Sequence, residues 1–144
     1  MKKCRKSKIS TAIVLIFVLS LGMTKLCFAE NNYHDTAYRF KFSNYQPYYG
    51  WHTEKRDKLD YTSSYMSCSA ASGLSYDAWV TASNSKDNEY VTDVGSPHYK
   101  FYAGTTTKMI NYVKERGYKY AAISAKPNAD GSYTAEGLWS PDSI

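Results

Sequence analysis

Few side chains of this sequence are of the types that perform covalent chemistry. His34, His52 and His98 lie far apart, and the sequence has neither a HExxH nor a CxxC pair that would bind a metal. Cys68 is the candidate nucleophile, but a dyad with His52 or His98 would have to be assembled by the fold. Because nucleophile-elbow and glycine-rich phosphate-loop motifs are absent as well, we predict that the protein is not an enzyme and has no catalytic residues.

Acidic side chains offer one further candidate site. Oxygen atoms of the kind that calcium prefers are present in one short segment, on Asp87, Asn88, Glu89 and Asp93. The segment lacks the glycine and the spacing of an EF-hand loop, so we interpret it as a polar loop. We predict no metal site and no cofactor.

Aromatic residues are the remaining functional signal, since the chain has 15 tyrosines and three tryptophans. Four of them crowd one loop that contains proline and glycine, and we take them as a candidate binding loop: Tyr45, Tyr48, Tyr49 and Trp51. Exposed rings can stack on sugars, insert at a lipid interface or grip a protein. The alternative interpretation is that these rings cover the open end of an aromatic core.

The pattern of the chain between these residues predicts strands. Apolar and polar residues alternate in six runs, which begin at Tyr38, Tyr61, Tyr76, Tyr99, Tyr118 and Tyr133. Leu, Ile and Val are scarce in these runs, so the core must be mainly aromatic, and Tyr and Thr favour strands. We therefore predict an all-β fold, a small antiparallel β-sandwich or barrel.

Three local segments carry further predictions. The last two runs are joined by a loop containing Asp130 and Gly131, which predicts a hairpin. Residues 107–116 place Met109 and Val113 at helical spacing, which allows a short helix or a strand with an exposed turn. The mixed charges of residues 54–58 are typical of a solvated loop.

The N-terminal segment has the layout of a secretory signal peptide. A basic stretch up to Lys8 is followed by an apolar stretch over residues 9–23, and small residues flank Phe28. We predict that residues 1–29 are the signal, cleaved between Ala29 and Glu30, and that 30–144 form one secreted domain. The predicted partners are signal peptidase and the general secretion machinery. A retained anchor is the alternative, although the apolar stretch is shorter than the roughly 20 residues that span a bilayer.

Removal of the signal changes the charge and the cysteine count. Six of the 18 basic residues and none of the 13 acidic ones precede residue 30, which leaves a net charge of −1 on the remaining chain. A nucleic-acid partner is therefore not predicted. Cys4 and Cys27 leave with the signal, and Cys68 alone has no partner for an intramolecular disulfide. We interpret Cys68 as a small buried apolar side chain.

Two segments resemble a family of small secreted Gram-positive proteins of unknown function. One is the Asp35-Thr36-Ala37 motif, which leads into an aromatic, polar, Phe pattern; the other is Gly137-Leu138-Trp139 with its polar tail. The chain is more loosely similar to lactococcin-like bacteriocins with small β-sandwich folds. The resemblance implies no assigned catalytic residues and an association with an ABC transporter.

These observations lead to two function hypotheses. The first is a secreted, non-enzymatic binding protein of the extracellular space or cell envelope, with an envelope component or a protein as its target. The alternative is a bacteriocin-like effector that acts on neighbouring Gram-positive cells. The sequence does not determine the oligomeric state.

Overall fold

The computed structural model describes residues 32–48, 50–72 and 74–144. The predicted signal peptide and its cleavage site at Ala29 and Glu30 lie outside these residues. The described chain contains ten strands and no helix. The strands are β1 (Thr36–Phe42), β2 (Trp51–His52), β3 (Arg56–Asp57), β4 (Ser64–Ala70), β5 (Tyr76–Ser83), β6 (Thr92–Asp93), β7 (Tyr99–Phe101), β8 (Thr106–Met109), β9 (Tyr120–Pro127) and β10 (Tyr133–Ser140).

The strands form two antiparallel sheets that do not close into a barrel, so the predicted β-sandwich is confirmed. The first sheet has the order β1-β10-β4-β8. The second has the order β2-β9-β5-β6, with β3 also pairing with β9 and β7 with β5. Strand β9 is the centre of the second sheet, because it pairs with β5 along eight residues and with β2 and β3 on its other edge.

Aromatic rings supply most of the largest side chains in the core between the sheets, and small and aliphatic side chains pack among them. Strand β1 buries alternate residues, and the Phe42 ring lies 4.8 Å from Tyr133 and 5.5 Å from Tyr76, measured between ring centroids. The Tyr76 ring stacks on Phe101 at 5.7 Å. Trp139 is 1% exposed and is the largest fully buried side chain. These contacts bury large rings in tilted and stacked arrangements, with centroid separations in the range that aromatic pairs favour.

Cys68 lies in this core, in agreement with its interpretation as a buried side chain. It is 2% exposed, next to the Tyr38 and Tyr76 hydroxyls, which are 2.7 Å apart. Burial raises the pKa of both tyrosine hydroxyls above the ordinary value, and their mutual proximity raises the pKa of Tyr76 further. Both tyrosine hydroxyls are therefore neutral at physiological pH.

Gly137 interrupts the pairing of β10 with β4 through a bulge between Glu136 and Gly137. A Cβ atom at residue 137 would lie 1.9 Å from the carbonyl oxygen of Ser67. The backbones approach so closely that only glycine fits.

One local prediction is wrong, and one pair of open alternatives is decided. Strands β9 and β10 form no hairpin, because they belong to different sheets and both edges of β9 are already paired. No short helix forms in 107–116. Thr106–Met109 pair with β4, and residues 113–117 form a turn in which Gly117 has a φ of +79°. The alternative of a strand with an exposed turn is the correct one, because the threonines here favour a strand.

The mixed-charge segment at residues 54–58 is not the solvated loop that the sequence predicts. Lys55 is 5% exposed and Lys58 is 1% exposed. The Lys55 ammonium donates hydrogen bonds to backbone oxygens of Ser85 and Asn88, and to the Asn88 side chain. Buried lysines need such partners, and residues far away in the sequence provide them.

Candidate functional site

A groove of about 500 Å³ lies on the face of the second sheet that is turned away from the core. Alternate residues of β5 enter the core, so that Trp79 and Thr81 point to the other face. We call this site the aromatic groove. Its floor and walls include the following residues: Trp79, Thr81 and Ser124; Gln46, Tyr48 and Trp51; Val91 and Asp93; and Lys126.

The Trp79 ring is held in place by His98. The two rings are parallel within 4°, with their centroids 4.2 Å apart. Ala78 pairs with Tyr99 in the sheet, which places the preceding residue, His98, beside Trp79. The stack fixes the orientation of an indole that is only half-buried, so that a flat aromatic surface is available in the groove.

The polar part of the floor is a pair of buried hydroxyls. The Thr81 and Ser124 oxygens are 2.9 Å apart, and the Thr81 hydroxyl also lies 3.3 Å from the Ala122 carbonyl oxygen, to which it can donate. Each hydroxyl has one proton and two lone pairs, so the pair keeps unused acceptor capacity. The floor can therefore accept hydrogen bonds from a ligand without first breaking its own.

One wall comes from the loop between β1 and β2, which contains the predicted binding loop. The indole nitrogen of Trp51 donates to the Lys41 carbonyl oxygen at 2.9 Å, and its ring meets the Phe42 ring edge-on. Tyr45 and Tyr48 are 80% and 88% exposed. Tyr48 and Trp51 line the groove, whereas Tyr45 does not. Tyr49 lies outside the described residues.

The groove continues into a neighbouring recess of about 800 Å³. Gln46, Trp51 and Lys126 line both spaces. The recess is formed by the loop after β9, which is fastened to the β1–β2 loop where the Gly131 amide donates to the Asn44 side chain at 2.8 Å. The combined surface carries aromatic rings and uncharged polar groups, together with the charged side chains of Asp93, Lys126 and Asp130.

The candidate chemical residues of the sequence are not brought together. Cys68 points into the core, whereas His98 stacks on Trp79 on the far face of the other sheet. The Nδ1 atom of His52 lies 2.9 Å from the Thr53 carbonyl oxygen, and His34 is exposed. Neither of the dyads that the sequence allows is assembled.

The acidic loop has another role in the structure. Asn88 accepts from the buried Lys55 ammonium, so this segment serves as a cover for that lysine. Among the residues that the structure describes, no group of three or more His, Cys, Asp or Glu side chains could hold a metal ion.

Sequence reasoning missed two features. Trp79 alternates with the core residues Ala78 and Val80, and this alternation was the signal that it faces outward. The second feature is a buried group that we call the charged cluster: Lys58, Asp60 and Asp142. The Lys58 ammonium lies 2.6 Å from Asp142 and 3.3 Å from Asp60, and the side chains of Lys58 and Asp142 are 0% exposed. No local sequence signal predicts that residues 84 positions apart meet.

The fold and the groove define a small two-sheet antiparallel β protein with an aromatic surface site. The chain belongs to the family described as "Protein of unknown function (DUF2712)", whose profile matches residues 26–143. The predicted membership of a family of unknown function is thereby confirmed. No curated protein and no solved structure matches the chain. Within the described ranges, no helix has the length and apolar character needed to cross a membrane.

Proposed function

We propose that this protein is exported and binds a carbohydrate-containing polymer of the cell envelope in the aromatic groove. The observation that carries the proposal is the arrangement of Trp79, Trp51 and Tyr48 around the polar floor. Sugar rings have apolar C–H faces that pack on aromatic rings, and hydroxyl edges that need hydrogen-bond partners. The groove offers both kinds of surface side by side.

The shape of the site favours a chain over a small molecule. The groove and the recess share one wall and extend along the end of β9, so that several units of a polymer would fit. Lys126 and Asp93 supply one charge of each sign at the groove. Such a balance suits neutral or zwitterionic sugar units better than a strongly charged ligand.

The N-terminal segment supports the location that this proposal needs. A basic stretch, an apolar stretch and small residues before Glu30 form the pattern of an exported precursor. Mass spectrometry of the protein from the culture medium should find Glu30 or a close neighbour at the N-terminus. Recovery of the full-length chain in membranes alone would contradict export.

Binding rather than catalysis fits the placement of the reactive groups. Cys68 is inside the core, and the His98 ring is occupied by its stack on Trp79. The groove hydroxyls of Thr81 and Ser124 are bonded to each other, with no histidine between them to act as a base. In this proposal the groove holds its ligand and leaves it unchanged.

Co-sedimentation with purified Gram-positive cell walls tests the proposal. Trp79→Ala should weaken wall binding about tenfold or more, the effect expected of a central aromatic contact. Tyr61→Ala is the matched control, because Tyr61 is 70% exposed and does not line the groove. Equal loss in both variants, or no loss in Trp79→Ala, would contradict the assignment. Loss of binding after protease treatment of the walls would indicate a protein target.

The same preparations distinguish the effector hypothesis that the bacteriocin resemblance implies. Wild-type protein added to growing Gram-positive cells should leave growth and membrane potential unchanged if the groove only binds. Inhibition that disappears in Trp79→Ala would instead indicate a bacteriocin-like effector. A neighbouring gene for an ABC transporter would add weight to that outcome.

A further inference from the structure

The charged cluster contains a second carboxylate, Asp60, beside the ion pair of Lys58 and Asp142. Lys58 follows β3 and Asp142 follows β10, so the pair joins the two sheets of the sandwich near the end of the chain. Both side chains are 0% exposed. A buried pair of opposite charges gains little over apolar residues of the same size, because both ions must be removed from water.

We propose that Lys58 and Asp142 condense into an intramolecular amide, an isopeptide bond, with Asp60 accepting a proton from the lysine amine. The amine nitrogen is the nucleophile and lies 2.6 Å from Oδ1 of Asp142. Asp60 Oδ1 lies 3.3 Å from the same nitrogen. The three groups therefore correspond to a nucleophile, a carboxyl to be attacked, and a base.

The other oxygen of Asp142 is held by two backbone amides. Oδ2 accepts from the Asn32 amide at 2.8 Å and from the Leu59 amide at 3.2 Å. Two N–H groups on one carboxyl oxygen polarise the carbonyl and stabilise the negative charge that develops there during attack. This arrangement leaves Oδ1, on the lysine side, as the oxygen that departs.

The lysine amine is positioned by a third contact. Its nitrogen donates to the Thr62 carbonyl oxygen at 2.6 Å. Burial alone would raise the pKa of Asp60, but hydrogen bonds from the Thr62 hydroxyl and amide, together with the nearby Asp142 and Lys58 side chains, hold it below its ordinary value. Asp60 is therefore ionised in the resting cluster, and its Oδ1 atom, 3.3 Å from the lysine nitrogen, is placed to receive the proton that the amine loses on attack.

The condensation balances without any other reactant. In the buried pair, Oδ1 of Asp142 takes one proton from the ammonium, which leaves a neutral amine and a carboxylic acid. The amine nitrogen attacks Cγ, and the C–N bond forms while Asp60 accepts a second proton. Asp60 returns this proton to the departing hydroxyl, the C–Oδ1 bond breaks, and one water molecule is released.

The structure favours this step by proximity and by its product. Groups held in contact react with effective molarities of roughly 10⁵–10⁸ M. The amide has no charge, so the reaction removes two ions from the interior. The amide oxygen keeps the Asn32 and Leu59 contacts, and the amide N–H keeps the Thr62 carbonyl as its acceptor. The bond would lock the tail after β10 to the segment after β3.

The intact mass of the folded wild-type protein tests whether the isopeptide bond forms. The full chain is produced in a bacterial host, purified and denatured, and its mass is compared with that calculated from its observed ends. We expect a mass lower by one water molecule, together with a proteolytic fragment in which the Lys58 and Asp142 peptides are joined. An unshifted mass would overturn the proposal. A lost water without joined peptides would also overturn it, since a succinimide at Asp142 gives the same mass.

Variants distinguish the loss of the isopeptide bond from the loss of the fold. Lys58→Arg keeps the positive charge but should retain its full mass, whereas Asp142→Asn should release ammonia and reach the same final mass as the wild type. Lys86→Arg is the matched control, because Lys86 forms a surface ion pair with Asp57 at 3.6 Å; it should lose water as the wild type does. If Lys58→Arg fails to fold, the wild-type mass and the Asp142→Asn product still show whether the bond forms.

The role of Asp60 has its own readout. After refolding of unreacted denatured chain, Asp60→Asn should form the joined peptide at least tenfold more slowly than the wild type. An unchanged rate would overturn the proton-accepting role of Asp60.

Discussion

The charged cluster and the aromatic groove reverse the usual distribution of side chains in opposite ways. In the cluster, Lys58 and Asp142 are 0% exposed, whereas Tyr48 in the groove is 88% exposed. The backbone N–H of Lys58 donates to the Lys119 carbonyl oxygen just before β9. Lys126 lines the groove near the other end of that strand. The length of β9 therefore separates the two regions. Charged side chains are buried in this protein where groups within the fold satisfy their polar atoms.

The difference has consequences for stability and for function. Every polar atom of the Lys58 side chain and of the Asp142 carboxyl has partners within the fold, so changes there should act on unfolding. The groove rings contact less of the core, so changes there should act on binding.

The largest effect is expected at Asp142. Asp142→Ala should lower the free energy of unfolding by about 3–5 kcal/mol, because the variant leaves a buried lysine amine without the Asp142 carboxyl group that lies 2.6 Å from it. Urea unfolding followed by tryptophan fluorescence measures the loss. Lys86→Ala, at the exposed pair with Asp57, should change stability by less than about 1 kcal/mol. Similar losses in both variants would remove the distinction between the cluster and the surface.

Two tryptophans extend the comparison. Trp139→Ala should cost about 3–5 kcal/mol, as for other fully buried large aromatics. Trp51→Ala should cost about 1–2 kcal/mol, because its half-buried ring covers Phe42 and only part of its apolar area is lost. Urea melts of the two variants should therefore differ clearly. A larger loss for Trp51 would mean that the groove wall, and not Trp139, holds the core.

Gly137 lies in the strand that carries Trp139. Gly137→Ala should lower stability by about 1–3 kcal/mol, since its Cβ can be accommodated only if backbone moves away from Ser67. Thermal unfolding measures this loss. Leu138→Ala, at the next position and 42% exposed, serves as the control and should change stability by about 0.5 kcal/mol or less. Equal tolerance at both positions would show that the bulge is flexible.

The smallest effect concerns alkaline pH. The raised pKa values of Tyr38 and Tyr76 mean that their contribution to stability is complete below the ordinary pKa of about 10 and is lost as the pH rises toward the folded values. Absorbance titration of the folded protein up to pH about 11 should therefore be the same for wild type and Tyr38→Phe. Loss of a phenolate in Tyr38→Phe within this pH range would contradict the buried pair.

Part of the candidate site could be predicted from local sequence. The crowding of Tyr48 and Trp51 in one loop identified one wall, and the alternation around Trp79 contained the floor. Their meeting could not be predicted, because it depends on the pairing of β9 with both β2 and β5. A run of mixed charges predicts a solvated loop around Lys58, and the burial of Lys58 cannot be predicted because its neutralising partner is not local.

The sequence by itself determined the strands and the character of the core. Tyr38, Phe40 and Phe42 point to one side of β1 because side chains alternate along any strand, and aromatic rings fill the core because few aliphatic residues are present. Strand pairing and the burial of charges are set by the tertiary fold. Those outcomes depend on contacts between residues far apart in the chain, such as Lys58 with Asp142, whose energies no local pattern encodes.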